Sequence, residues 1–399
     1  MKIKARFAVM AASVAVLMAA APIAQAVTSP GDTHPLVPAV HSPDGIPGNG
    51  VGPEFHTSSM ARSYSEKHLG VAPRGVNDFS CKVKPGDRPV ILIPGTGGNA
   101  FATWSFYGPH LAHEGYCVYT FTTNVPVGIL DEGWGFTGDV RASAQALGVF
   151  VDRVRKATGS EKVDLVGHSQ GGGILPNTYI KMYGGASKVD KLIGLVAANH
   201  GTTAGGLDKL VHGLPEAVKD SLSTWSYDHN MEAYGQQLKG SALMQQVYRD
   251  GDTVPGIAYT VISTRLDMTI TPYTQAFLKG AKNMTVQDAC PLDAYGHGRL
   301  PYDPVAYQMV LNALDPNHPR EISCTWRPRV LPVSPTDAAC AMAGQGSPAP
   351  RGVATNHDGG DNEQHAVPAL CRVALPRRPS GLGRGGRVGC VGDYLHVHL

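Results

Sequence analysis

Between about Val90 and Leu314, short β-branched apolar runs alternate with longer amphipathic stretches, the pattern that gives parallel strands joined by helices. Strands are predicted at Pro89 to Ile93, Tyr116 to Thr122, Lys162 to Val166, Leu192 to Ala197, Gly256 to Ser263 and Met284 to Gln287, each closed by a polar or glycine-rich loop. These runs are apolar on both faces, which suits a sheet covered by helices on both sides. Val140, Ala144, Leu147, Val151 and Val154 recur at spacings of four, three, four and three and line one face of a helix. Asp139 puts negative charge at its start, and Gly159 lies just past its end. Right-handed crossovers between such units predict an α/β architecture, a doubly wound and mostly parallel sheet.

Outside this core the text changes. Lys2, Lys4 and Arg6 precede an apolar run from Phe7 to about Ala21, and Ala24-Gln25-Ala26 supplies small residues for cleavage. This reads as a signal peptide over 1–26, hence a secreted, extracellular protein, because the run is shorter than the ~20 residues that span a bilayer. From Val27 to about Met60 the chain is rich in Pro, Gly and His, and 27–76 is read as a linker or pro-segment. Past Trp326, stretches such as PRRPSGLGRGGRVG carry little periodicity, so 327–399 is expected to be a disordered tail. The catalytic unit is then 77–326.

Composition narrows the class. With 34 Lys plus Arg against 32 Asp plus Glu, the net charge is +2, so there is no electrostatic footprint for nucleic acid. The 42% hydrophobic content is enough to build a core. The seven Cys include no C-x-x-C pair, which disfavours a zinc ribbon or a thioredoxin-type motif. Cys81, Cys117, Cys290 and Cys324 flank the core, whereas Cys340, Cys371 and Cys390 fall in the tail.

The chemistry centres on Gly167-His168-Ser169-Gln170-Gly171, directly after a predicted strand and before a helical stretch through Ile180. This is the G-x-S-x-G elbow in the context it needs. A chain that turns sharply from strand to helix has no room for side chains beside the serine, whose hydroxyl then stands clear. A serine hydroxyl is a weak nucleophile at neutral pH, so a base must sit beside it and a carboxylate must orient that base.

In this arrangement the chain order is Ser, then Asp or Glu, then His. Asp267 follows the strand ending at Ser263, where a loop carries it to the edge of the sheet that bears Ser169. Asp252 falls at the opposite edge, and Asp288 and Asp293 are competitors from the next loop. His297, in Tyr295-Gly296-His297-Gly298, is the candidate base; His318 follows the last helix, and His200, His212 and His229 precede Asp267 and break the order. The negative oxygen of a tetrahedral intermediate needs fixed donors. Pro94-Gly95-Thr96-Gly97-Gly98-Asn99 follows the first strand and offers the N–H of Thr96, and the residue after the nucleophile offers that of Gln170. Read as a phosphate cradle, the same loop lacks the lysine of G-x-x-x-x-G-K-[ST].

PVILIPGTGGNAFATW, EGYCVYTF, VDLVGHSQGG, AANHGTT, GDTVPGIAYTVISTRLDMTITPY and QDACPLDAYGHGRLPYDP, in this order, resemble the secreted bacterial class 2 lipases and esterases of the α/β-hydrolase superfamily. The resemblance covers roughly Asn77 to Cys324. It implies Ser169 as nucleophile, Asp267 as acid, His297 as base, Thr96 and Gln170 as oxyanion donors, and disulfides Cys81–Cys117 and Cys290–Cys324. There are departures. Many relatives begin the oxyanion loop with His-Gly where this chain has Pro94-Gly95, and Pro-Gly-Thr-Gly resembles fungal lipase B types, in which the Thr side chain can add a third donor. The stretch Met231 to Gly235 lacks a cysteine pair expected in several relatives.

Between about 202 and 250 the chain leaves the sheet, and Leu207, Leu210, Leu214, Val218, Leu222 and Trp225 recur at helical spacing. This apolar face is expected to pack as a cap on the core; a lid that opens at a lipid surface is the alternative. The whole reads as a monomeric, secreted serine lipase or esterase acting on acyl esters through an acyl-enzyme, with no cofactor and no metal. An acyltransferase with the same triad and a non-catalytic lipid-binding protein are the alternatives.

Overall fold

Alternation along each strand sorts the two faces of the sheet. In the computed structural model, which describes residues 45–48, 50–127 and 133–325, Ile91 and Ile93 join one buried cluster while Val90 and Leu92 join the other. The expected signal peptide, the first part of the Pro-rich segment, Cys340, Cys371, Cys390 and the tail lie outside the described residues. The strands are β1 (Val90–Ile93), β2 (Val118–Thr120), β3 (Val163–His168), β4 (Val189–Leu195), β5 (Ala258–Ser263) and β6 (Lys282–Thr285). All pairs are parallel, in the order β2-β1-β3-β4-β5-β6. The order reverses between β1 and β3, so their carboxyl ends open a crevice at the switch point.

The helices are α1 (Ser58–Ser65), α2 (Ala100–Trp104), α3 (Tyr107–His113), α4 (Val140–Thr158), α5 (Ile174–Met182), α6 (Leu207–His212), α7 (Glu216–Asp228), α8 (Ala233–Gln236), α9 (Ala242–Tyr248), α10 (Val286–Ala289) and α11 (Pro304–Leu314). In α4 all five periodic residues, from Val140 to Val154, are fully buried. Asp139 caps its start by accepting from the N–H of Arg141, and Gly159 ends it with φ of 71°. On one side of the sheet α4 and α5 complete the cluster around Ile91 and Leu165, and on the other α3 and α11 complete that around Leu92 and Ile193.

Three expectations change. The sixth strand stops at Thr285, because Thr285 and Asp288 form a reciprocal capping box that turns Val286 and Gln287 into α10. The segment before residue 77 is not a bare linker: residues 45–76 carry α1, capped by Thr57, with Ala61 fully buried. Phe55 and Tyr64 pack on Phe101 of α2 at centroid distances of 5.9 and 5.0 Å, which ties this segment to the core. The cap stripe, finally, is divided: Gly213, Leu214 and Pro215 separate α6 from α7, α7 holds no buried residue, and Leu210 and Val218 are 64% and 42% exposed. Proline and glycine break the continuous helical face that the spacing alone suggests.

Cys81 and Cys117 form one disulfide and Cys290 and Cys324 another, with Cα–Cα distances of 5.7 and 5.5 Å. Among the described residues no helix is long and apolar enough to cross a membrane.

Candidate active site

The elbow is built by steric exclusion. Ser169 has φ of +56°, a left-handed conformation that costs a non-glycine residue energy and persists only where the surroundings enforce it. Those surroundings leave no space: a Cβ on Gly167 would lie 1.7 Å from the carbonyl oxygen of Gly171, and one on Gly171 would lie 2.3 Å from that of Pro94. The chain passes through a 3₁₀ turn, Ser169–Gly172, before α5 begins.

Because every strand is parallel, the loops after β1, β3, β5 and β6 emerge on one edge and bring their residues together. His297 Nε2 lies 3.0 Å from Ser169 Oγ, and His297 Nδ1 lies 2.9 Å from Asp267 Oδ2. The other carboxylate oxygen of Asp267 accepts the N–H groups of Thr269 and Ile270, both at 2.8 Å. The Asp267 side chain has no exposed surface and that of His297 is 11% exposed, so this relay is shielded from bulk water.

The competing residues are engaged elsewhere. Asp252 pairs with His200 at 3.3 Å, Asp288 with Arg265 at 2.5 Å, and His318 with Asp315 at 3.0 Å. Asp293 accepts the N–H of Tyr295 within the His297 loop. His229 reaches the Trp225 carbonyl.

His168, not a candidate on the sequence alone, contacts the candidate base from below. Its Nε2 lies 3.0 Å from the His297 carbonyl oxygen, and since a carbonyl can only accept, His168 donates. Loss of solvation, reinforced by the neighbouring His297, pushes its pKa down to about 3, so it is a neutral strut. The signal for it was its place at the first x of the elbow, directly beside Ser169.

The loop after β1 abuts the serine: a Cβ on Gly95 would lie 2.9 Å from Ser169 Cβ. Gly98 N–H donates to the Gly95 carbonyl at 2.9 Å, closing a turn that contains Thr96, and Gly97 has φ of +69°. Gln170, in the first turn after the elbow, has an N–H without an intrahelical acceptor. Two side-chain amides converge on Thr96 Oγ1: Gln170 Nε2 at 2.9 Å and Gln237 Nε2 at 2.7 Å. Gln237, from the cap, was not singled out in the sequence. Among the described residues no group of three or more His, Cys, Asp or Glu is arranged to hold a metal ion.

A doubly wound parallel sheet that carries a serine on a strand-to-helix elbow at the crevice edge defines an α/β-hydrolase. The chain belongs to the class 2 lipase family, whose model matches residues 87–310. Membership classes it with the carboxylester hydrolases of lipase and esterase type. Among solved structures it is similar to lipase B of Aspergillus fumigatus (20% identity, TM-score 0.46), with 61% of this chain and 55% of that chain covered. It is also similar to the mature form of the Bacillus licheniformis lipase BlEst2 (14% identity, TM-score 0.42), with 58% and 93% covered. A Listeria innocua protein matches at 16% identity and TM-score 0.37, covering 57% and 94%.

The cap also holds a buried acid. Both carboxylate oxygens of Glu232, which precedes α8, are shielded and accept from no other residue, and burial pushes its pKa up to about 7. Between the ordinary glutamate value and about 7, the folded protein holds a proton that the unfolded chain releases, so stability falls as pH rises through that window. Glu232→Gln removes this dependence. The variant is expected to melt about 2–4 °C above wild type near pH 8 and to coincide with it near pH 4, a comparison that thermal denaturation at the two pH values makes directly.

Proposed function

We propose that the protein is an exported serine esterase or lipase that hydrolyses carboxylic esters through an acyl-enzyme. One observation carries this reading: the continuous hydrogen-bonded relay from Ser169 Oγ through His297 to the buried Asp267 carboxylate. Ser169 Oγ attacks the ester carbonyl carbon while its proton passes to His297 Nε2. The negative oxygen that forms accepts from the N–H groups of Thr96 and Gln170. His297 then gives its proton to the leaving alkoxide, and the acyl group stays on Ser169. Water repeats the sequence, with His297 as base, and releases the acid. Asp267 holds the imidazole in the tautomer with hydrogen on Nδ1.

The Thr96 hydroxyl adds a third donor. The amide nitrogen of Gln170 also reaches the Phe136 carbonyl at 3.0 Å, and that of Gln237 the Ala233 carbonyl at 2.9 Å, so both amides must donate to Thr96 Oγ1. Its lone pairs are thereby used, and its own hydrogen is left for an acceptor in the site.

Export follows from the N-terminal Lys2, Lys4 and Arg6, the apolar run and Ala24-Gln25-Ala26, and it agrees with two disulfides, which persist outside a reducing cytosol. The catalytic domain read at 77–326 then also takes in α1 (Ser58–Ser65), which Phe55 and Tyr64 tie to Phe101. The half-exposed apolar residues of α6 and α7 favour a surface that meets aggregated lipid.

A p-nitrophenyl ester series from short to long acyl chains, run below and above each ester's solubility limit, tests the reading. Turnover with a rise on crossing that limit supports a lipase; turnover without the rise supports an esterase. Ester formation with added alcohol at the expense of hydrolysis supports the acyltransferase reading instead, and the absence of turnover on every ester supports a lipid carrier.

A further inference from the structure

The segment read as a linker reaches the catalytic loop. Arg62 and Ser65 lie three apart on one face of α1, and both touch the loop after β1. Arg62 Nη2 donates to the Gly97 carbonyl at 2.7 Å. Ser65 Oγ accepts from Asn99 Nδ2 at 3.2 Å, and the same amide donates to the Gly133 carbonyl at 2.6 Å. The guanidinium carbon lies over the Trp134 ring, 4.5 Å from its centroid, and Nη1 is buried without a partner.

Gly97 is where the loop most needs a hold. Its carbonyl belongs to the Gly97–Gly98 peptide, which has no side chain on either side to resist rotation. The preceding N–H, that of Gly97, is anchored on Gly135 at 2.9 Å, and the Gly95 carbonyl on Gly98 N–H. The Gly95–Thr96 peptide carries both that carbonyl and the Thr96 N–H, so rotation at Gly97–Gly98 would re-aim the donor meant for the oxyanion. Backbone bonds hold the N–H end of the Gly97–Gly98 peptide and the Gly98 carbonyl beyond it, which accepts from Gly135 N–H at 2.8 Å, and Arg62 is the side chain that holds its other end, the Gly97 carbonyl.

We propose that α1 is a brace of the oxyanion loop and that Arg62 is a positioning residue for ester hydrolysis, acting through the Gly97 carbonyl on the Thr96 donor. This rests on the reading of Ser169 and Thr96 given above. The brace stabilises the transition state and leaves the ground-state ester nearly untouched, because the oxyanion exists only after attack.

The test uses the full chain carrying Arg62→Gln or Arg62→Lys. Each is assayed for kcat and KM on a soluble p-nitrophenyl ester, and for affinity toward a trifluoromethyl ketone. Ser169 Oγ adds to the ketone carbon, its proton passes to His297, and the resulting oxyanion sits in the loop. Arg62→Gln is expected to lower kcat about 10–100-fold with KM within about twofold, and to weaken the ketone by the same factor as kcat. Arg62→Lys keeps the charge and a donor but not the guanidinium's fork of donors, so both quantities are expected to fall between those of wild type and Arg62→Gln. A kcat within about twofold of wild type overturns the proposal, as does a fall in kcat with unchanged ketone affinity. If Arg62→Gln does not fold, Arg62→Lys is judged by the same criteria, with an expected loss of about 3–10-fold in each quantity. If wild type neither turns over esters nor reacts with a serine-directed phosphonate, the hydrolase reading itself fails and takes the brace with it. An active wild type with an indifferent Arg62 removes the brace alone.

Discussion

With alanine in place of His297, ester hydrolysis is expected to slow by about 10⁴–10⁶ in kcat, with KM within a few-fold of wild type. Ser169 Oγ lies 3.0 Å from His297 Nε2, the acceptor proposed for its proton, and the deletion removes that group. The nearest substitute is His168, whose ring centroid is 5.0 Å from that of His297. Its nitrogen is spent on the backbone of the same loop, and a pKa pushed down to about 3 makes it too weak a base at neutral pH. Steady-state kinetics on a soluble ester measures the effect, and added imidazole is expected to restore part of the rate by occupying the vacated space. A loss of less than about 100-fold would mean that another group takes the serine proton.

Asp267→Asn is expected to cost about 10⁴ in kcat with the fold intact. The reason lies in the two backbone donors, Thr269 N–H and Ile270 N–H, that both point at one oxygen of the carboxylate. An asparagine must keep its oxygen there, since an amide NH₂ facing two N–H groups would leave all of them unsatisfied. Its NH₂ then faces His297 Nδ1, which has to become an acceptor, and the ring proton moves to Nε2. In that tautomer His297 donates toward Ser169 and cannot take its proton. Kinetics together with a thermal melt separate this from unfolding: an unshifted melt with a loss of less than about tenfold would contradict the orienting role of Asp267.

Much of this was legible in the chain because local rules and the global fold agree. The Val140 to Val154 stripe, bracketed by Asp139 and Gly159, is a helix whose periodic face is buried. The six apolar runs are six parallel strands, and parallel strands place their following loops on one edge, so chain order alone assembled Ser169, Asp267 and His297. What was not legible depends on contacts between segments distant in sequence. Proline in the N-terminal segment argues against regular structure, yet α1 lies between prolines and is held by Phe55, Tyr64 and Phe101, an aromatic contact that no periodicity announces. Gln237 acts on Thr96 across 141 positions, and Arg62 on Gly97 across 35. The cap stripe failed for a local reason that was visible: Gly213 and Pro215 interrupt it, and an apolar count does not register the break.

The most direct test of the central claim is the mass of the protein after reaction with a serine-directed phosphonate, followed by peptide mapping. Wild type is expected to gain a single adduct on the peptide containing Ser169, in parallel with loss of ester turnover, while folded Ser169→Ala gains none. An adduct on another residue, or a wild type that stays unmodified while folded, would contradict the assignment of Ser169 as an activated nucleophile.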